Sequence, residues 1–320
     1  MLIVVVNGGG RDMRAPARVW IRTAMATLLL ILGVTGVAAR LGASPPTARA
    51  ASAPLPVVAA ENFYGDLLAQ IGGDRVHVTS ILSNPNADPH EYESSVRDAT
   101  AVAQARLVVL NGLGYDSWMQ KLLRASPRRE RQVVNVGAGL LHVHEGDNPH
   151  VWYKPQTFPL LAGVIAADLG MADPAGKGYY AARLARFTRS LLPLQREFAA
   201  LRRRYAGSYV LATERVFGYA ADAIGLHIPN PAFQRAIEDG NDPSPQAVAE
   251  FEGDVTRRRA RLLLYNTQTV SPLTAHMRDL ALKNHIPVVG VSETEPPGQN
   301  YQQWQLSQLH AIDHALSTGR

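Results

Sequence analysis

The chain contains no cysteine, and this absence removes several classes of site at once. Without thiols the protein has no disulfide framework, no thiolate metal site and no cysteine that could be lipidated after a signal peptide. The sequence also lacks an H-E-x-x-H motif, a nucleophile elbow and a P-loop, which are signatures of hydrolases and nucleotide-binding proteins. What is present is a chain of 320 residues, 46% hydrophobic, which is long enough for two domains with their own cores.

The first 53 residues have the layout of a secretory signal peptide. Several arginines precede an uncharged, mostly apolar run over residues 23–39, and Ala48-Arg-Ala50 and Ala51-Ser-Ala53 both fit an A-x-A cleavage pattern. Met13 is an alternative start. We therefore predict a signal peptide over residues 1–53 and a periplasmic or other extracytoplasmic location. If the leader is not cleaved, its 17-residue apolar run is at the lower limit of a spanning helix and would tether the protein to the membrane.

Positive charge is concentrated in this leader. Residues 1–53 hold six arginines and one aspartate, a net charge of +5, which equals the formal net charge of the whole chain. Residues 54–320 are therefore close to neutral. Nucleic-acid binding needs clustered basic charge on the folded domain, so we expect no nucleic-acid partner. We also expect a monomer.

Strand and helix patterns alternate after the leader and again after Gly207, which predicts an α/β fold with two lobes of parallel-sheet β/α units. Between the lobes, apolar residues recur at three- and four-residue spacing without any strand pattern. This stretch predicts one long, rigid amphipathic helix, on the order of 45 Å, with a kink at Pro193. The predicted divisions are an N-terminal lobe (54–172), a linking helix (173–206) and a C-terminal lobe (207–320).

Four residues with metal-binding side chains follow predicted strands or precede helices in comparable places: His90, His150, Glu214 and Glu293. Because open α/β sheets bind ligands beyond the carboxyl ends of their strands, two facing lobes would bring these side chains into one cleft. Two carboxylates and two imidazoles form an N/O ligand set for a divalent cation. Taken singly, each residue has a commoner role, as a hydrogen-bonding loop histidine or a carboxylate at a helix N-terminus. Glu295 competes with Glu293 for the fourth position.

Six stretches of the sequence resemble the metal-binding receptors of ABC importers, the zinc/manganese solute-binding proteins called cluster A-I. In chain order they are Ala60-Glu-Asn-Phe-Tyr64, Asp88-Pro-His-Glu-Tyr-Glu93, Asn111-Gly-Leu-Gly-Tyr115, Asp147-Asn-Pro-His-Val-Trp152, Phe217-Gly-Tyr219 and Tyr301-Gln-Gln-Trp304. They extend over nearly all of residues 54–320. The resemblance implies two β/α lobes joined by one long helix, in agreement with the periodicity.

The resemblance also implies a ligand set. The two first-lobe histidines of the family match His90 and His150, and Glu214 matches a third position that is His in zinc receptors and Glu in many manganese receptors. The fourth ligand, usually Asp, falls at or near Glu293. The acidic, His-rich loop typical of zinc receptors is missing, and His142, His144, Glu145 and Asp147 stand in its place.

The expected function is therefore an extracytoplasmic receptor, not an enzyme, that captures a divalent transition metal and delivers it to an ABC importer permease. Two carboxylates favour Mn²⁺ or Fe²⁺ by their hardness, whereas Zn²⁺ usually binds a given N/O site more tightly than Mn²⁺. Mn²⁺, Zn²⁺ and Fe²⁺ all remain candidates at this point. The alternatives are a metal-dependent hydrolase, which would need an open coordination position for water, and a surface adhesin on the same fold.

Overall fold

A computed structural model describes residues 53–84 and 92–318, and within them two parallel β-sheets carry the architecture. The first sheet contains β1 (Leu55–Glu61), β2 (Val76–Leu82), β3 (Leu107–Leu110) and β4 (Gln132–Asn135), in the spatial order β2-β1-β3-β4. Every pairing in it is parallel. Its helices are α1 (Asn62–Gly72), α2 (Val96–Gln104), α3 (Ser117–Ala125) and α4 (Thr157–Ala172).

Local sequence signals set the ends of these elements. Ser95 caps α2 and forms a capping box with Asp98, which satisfies backbone donors of the first turn. Helix α1 ends at Gly72, and Gly73 continues the chain with φ of 52°, a conformation that glycine adopts without strain. All four residues of β3 are buried, as expected for a parallel strand covered on both faces.

The predicted linking helix is present as two consecutive helices, α5 (Lys177–Ser190) and α6 (Leu192–Tyr205), which are separated at Leu191. Pro193 lies in the first turn of α6, where its missing N–H interrupts the hydrogen-bond ladder and bends the helix. The bend agrees with the predicted kink. Helix α5 packs on α1 and α4, whereas α6 packs on helices of the second half of the chain.

The second sheet contains β5 (Leu211–Ala212), β6 (Leu263–Asn266) and β7 (Val288–Val291), again all parallel, with β6 in the middle. Its helices are α7 (Gly218–Ile224), α8 (Pro231–Glu238), α9 (Pro245–Thr256), α10 (Pro272–Lys283) and α11 (Tyr301–Thr318). The sequence pattern did not predict α8. This helix of 8 residues follows Asn230, whose φ of 65° turns the chain into Pro231 at the first helical position.

Buried aromatic side chains join the segment after His150 to the C-terminal part of the chain. The Tyr153 hydroxyl donates to the Ser292 carbonyl at 2.6 Å, and the Tyr301 hydroxyl donates to the Trp152 carbonyl at 3.0 Å. The Trp304 indole donates to the Ser292 hydroxyl at 3.0 Å. Because these polar tips are satisfied inside an apolar core, the two parts of the chain are held in a defined register.

The α/β fold is the predicted one, while the boundaries of the lobes at residues 172 and 206 stay a prediction. The predicted signal peptide lies almost wholly in residues 1–52, outside the described residues. In the part of the chain that is described, no helix combines the length and the apolar character needed to cross a bilayer.

Candidate functional site

Three of the four predicted ligands lie together. His150, Glu214 and Glu293 can each place one ligand atom so that these atoms all lie within 4.8 Å of one another. All three side chains are buried. His90, the fourth predicted ligand, belongs to residues 85–91 and lies outside the described residues. Glu295 is also buried but is not a member of this group.

The second sheet positions the two carboxylates. Glu214 follows the end of β5 by two residues, and Glu293 follows the end of β7 by two residues. Asn266, the last residue of the middle strand β6, lies between them. Because the strands are parallel, their carboxyl ends meet at one edge of the sheet, which is where open α/β sheets bind ligands.

Asn266 connects the two carboxylates directly. Its side-chain nitrogen Nδ2 donates to Glu214 Oε2 at 2.5 Å and to Glu293 Oε1 at 2.7 Å. Hydrogen bonds from a fixed amide to charged oxygens are among the stronger polar contacts in proteins, and they offset the repulsion between two neighbouring carboxylates.

Glu293 is held from both halves of the chain. The Tyr115 hydroxyl donates to Glu293 Oε2 at 3.0 Å, and the Glu293 backbone N–H donates to Gln268 Oε1 at 2.6 Å. Burial, followed by the charge of Glu293, raises the pKa of Tyr115 well above its usual range. Tyr115 therefore stays protonated and acts as a hydrogen-bond donor to the carboxylate.

His150 is oriented by Asn148. Asn148 Oδ1 accepts the His150 backbone N–H at 3.0 Å and lies 2.7 Å from His150 Nδ1, while Asn148 Nδ2 donates to the Arg215 carbonyl at 2.8 Å. Since the bond to Arg215 fixes which end of the amide faces the ring, Nδ1 of the neutral imidazole carries the proton. The other nitrogen, Nε2, lies 3.5 Å from Glu293 Oε2. This is the tautomer in which Nε2 binds a metal.

The segment that carries Glu214 is anchored by an ion pair. The Arg215 guanidinium donates to both oxygens of Glu238, at 2.7 and 2.5 Å, and both side chains are largely buried. A bidentate pair of this kind restricts rotation of the arginine. The ion pair holds this segment against α8, while the Tyr219 hydroxyl, which donates to the Asn148 carbonyl at 3.0 Å, ties α7 to the loop before His150.

The donor set of the described residues consists of one imidazole nitrogen and two carboxylates. Two carboxylates supply two negative charges, which balance the charge of a divalent cation, and neutral imidazole is a common ligand of transition metals. His142, His144, Glu145 and Asp147, which replace the His-rich loop, are all exposed and are not part of this buried group.

Sequence reasoning missed the residues that orient the ligands. Tyr115 and Asn148 occur inside stretches that carried the family resemblance, but their roles were not apparent there. Asn266 gave a readable signal, because it is a polar residue at the carboxyl end of an otherwise apolar strand. Such a position in a parallel sheet points towards the ligand side.

The comparisons with known proteins agree with this architecture. The family described as "zinc-uptake complex component A, periplasmic" matches residues 57–315. The manganese ABC transporter substrate-binding lipoprotein PsaA of Streptococcus anginosus is 28% identical over 310 residues, which cover 90% of this chain and 98% of that protein.

Two solved structures have the same fold. The periplasmic zinc-binding protein TroA of Treponema pallidum superimposes with a TM-score of 0.69 and 19% identity over 82% of this chain and 99% of its own. A mutant of the laminin-binding adhesin Lmb of Streptococcus agalactiae superimposes with a TM-score of 0.66 and 22% identity, over 82% of this chain and 99% of its own. At these identities the likeness concerns the fold, and it confirms the predicted fold class.

Proposed function

Because the chain belongs to the family of periplasmic zinc-uptake component A, we propose that it is an extracytoplasmic receptor for a divalent transition metal. In this proposal it captures the ion between its two lobes and delivers it to the permease of an ABC importer. The observation that carries the proposal is the buried group of His150, Glu214 and Glu293 at the ligand-binding edge of the second sheet. His90 is proposed as the fourth ligand from the sequence.

The proposed activity is binding without a chemical step. Four protein ligands fill the coordination of a tetrahedral ion, whereas catalytic zinc sites keep three protein ligands and one open position for water. Delivery then requires that the ligands separate again. The core contacts of Tyr153 and Tyr301, together with the long bent helix, support a small relative movement of the lobes.

The metal proposed for the site is Zn²⁺ or Mn²⁺, with Fe²⁺ as a further candidate. The matching family is named for zinc uptake and the streptococcal relative for manganese. We further propose that the exported protein is a monomer whose partners are the permease of the ABC importer and the metal ion.

Metal analysis of the exported protein tests the proposal. Protein purified without added metal is loaded with Zn²⁺, Mn²⁺ or Fe²⁺, and bound metal is measured by mass spectrometry and by competition titration. We expect one ion per chain, lost in His150→Ala and Glu214→Ala. His144→Ala removes an exposed histidine of the neighbouring loop and should keep full occupancy. Unchanged occupancy in both of the first two variants would refute the proposed site.

A further inference from the structure

The side-chain amide of Asn266 has a single available orientation. Its Oδ1 accepts the Gln268 backbone N–H at 3.1 Å, and its own backbone N–H donates to Thr213 Oγ1 at 3.1 Å. The residue is 1% exposed, so no solvent replaces a lost partner. An amide flip would break the bond to Gln268 and turn Oδ1 towards two carboxylates. Nδ2 therefore remains directed at Glu214 and Glu293.

This orientation engages one oxygen of each carboxylate. Nδ2 binds Glu214 Oε2 and Glu293 Oε1, and the Thr269 hydroxyl also lies 3.5 Å from Glu293 Oε1. The oxygen of Glu293 that faces the imidazole is the other one, Oε2, at 3.5 Å from His150 Nε2. In Glu293, the oxygen that accepts the Asn266 amide (Oε1) and the oxygen that faces His150 (Oε2) are therefore different atoms.

We propose that Asn266 is a specificity-determining residue that restricts Glu214 and Glu293 to one coordinating oxygen each. A bidentate carboxylate must turn both oxygens towards the ion, and the contacts with Asn266 oppose that rotation in both ligands simultaneously. The inference rests on the proposed function, since it concerns how the same site selects its metal.

Restricting each carboxylate to one oxygen limits the coordination number. With one oxygen from each carboxylate and one nitrogen from His150, the described residues give three ligand atoms, a low number that suits the four-coordinate Zn²⁺. Mn²⁺ is typically octahedral with oxygen ligands, so opposing bidentate binding lowers the affinity for Mn²⁺ more than the affinity for Zn²⁺. The Asn266 contacts therefore shift the site towards zinc, although the two carboxylates taken as ligand types favour harder ions.

The test compares the full exported chain with Asn266→Ala and Asn266→Ser. X-ray absorption of the zinc-loaded proteins gives the coordination number, and competition titrations give the ratio of the Mn²⁺ and Zn²⁺ dissociation constants. For the unsubstituted protein we expect four N/O ligands at about 2.0–2.2 Å. Asn266→Ala should raise the coordination number towards five and lower the Mn²⁺/Zn²⁺ ratio of dissociation constants at least tenfold.

Asn266→Ser retains one hydroxyl donor, so its coordination number and its ratio of dissociation constants should lie between those of the unsubstituted protein and of Asn266→Ala. This second variant keeps the test available if the alanine variant folds poorly. Asn284→Ala is the matched control. Asn284 donates its side-chain amide to the Leu280 carbonyl at 2.8 Å, at the end of α10, so its loss should change neither readout.

The outcomes separate this inference from the function on which it rests. If the unsubstituted protein takes up no divalent metal, the proposed function and this inference both fail. If it binds one ion per chain, and both Asn266 variants keep the same coordination number and the same ratio of dissociation constants, only the role of Asn266 is refuted.

Discussion

Replacement of Glu214 by glutamine should change protein stability and metal affinity in opposite directions. The substitution keeps the size of the side chain, and the new carbonyl oxygen can still accept the Asn266 amide that binds Glu214 Oε2. When both carboxylates are ionised, it removes one of two negative charges that are buried beside each other. Substitution of a residue with only a structural role would not raise the stability of the metal-free protein while lowering its metal affinity.

The size of the effect follows from the distance between the charges. Ligand atoms of Glu214 and Glu293 lie within 4.8 Å, so two ionised carboxylates repel by about 3 kcal/mol at an effective dielectric constant of about 20. Metal-free Glu214→Gln is therefore expected to gain up to about 3 kcal/mol, seen as a melting temperature higher by on the order of 5–10 °C. Loss of an anionic ligand should weaken metal binding at least ~100-fold, equivalent to about 2.8 kcal/mol.

The assay is thermal unfolding of metal-free and metal-loaded protein, together with a competition titration. Metal at ~100 times its dissociation constant should stabilise the unsubstituted protein by about 2.7 kcal/mol, whereas the variant at the same metal concentration should gain much less. Glu130→Gln removes a carboxylate that is 70% exposed, and it should change neither quantity by more than about 0.5 kcal/mol. A metal-free variant less stable than its parent, with unchanged metal affinity, would refute the reasoning.

Three further variants probe the surroundings of the site. Asn148→Ala should lower metal affinity about 10- to 100-fold, because the ring of His150 loses the partner that fixes its tautomer. Nitrogen NMR of the imidazole reports that tautomer directly. If the variant retains the Nδ1–H form, Asn148 does not fix the tautomer. Burial, followed by the charge of a neighbouring acid, raises the pKa of Glu295 to about 9. The folded state then binds the extra proton between about pH 4.5 and pH 9, so stability falls as pH rises through this window. Glu295→Gln should remove this dependence of the unfolding free energy on pH. In denaturant unfolding at pH 8, the variant should be more stable than its parent by on the order of 2 kcal/mol. An identical pH dependence in the two proteins would refute the role of Glu295. Arg215→Ala leaves the Glu238 carboxylate buried without its ion-pair partner and should cost about 3–5 kcal/mol in the same experiment, with part of the loss recovered when Glu238→Ala is added.

The sequence by itself determined most of the elements and their order. Strand and helix patterns reflect the alternation of buried and exposed positions within a short segment, and end signals such as Ser95 and Pro193 act on their own neighbours. This is why the α/β class and the bent linking helix were predictable. The short helix α8 was not predicted, because its 8 residues contain too few apolar repeats to distinguish a helix from a loop.

Tertiary structure alone decided which acidic residue after β7 faces His150. Glu293 and Glu295 are two residues apart in one irregular segment, and no local pattern separates them. Gln268 accepts the backbone N–H of Glu293, while Asn62 accepts that of Glu295, so the two residues are held by different segments of the chain. The amides that orient the site likewise come from segments far apart in sequence. Their convergence depends on how the two halves of the chain pack, because a hydrogen bond between distant segments leaves no periodic trace in either of them.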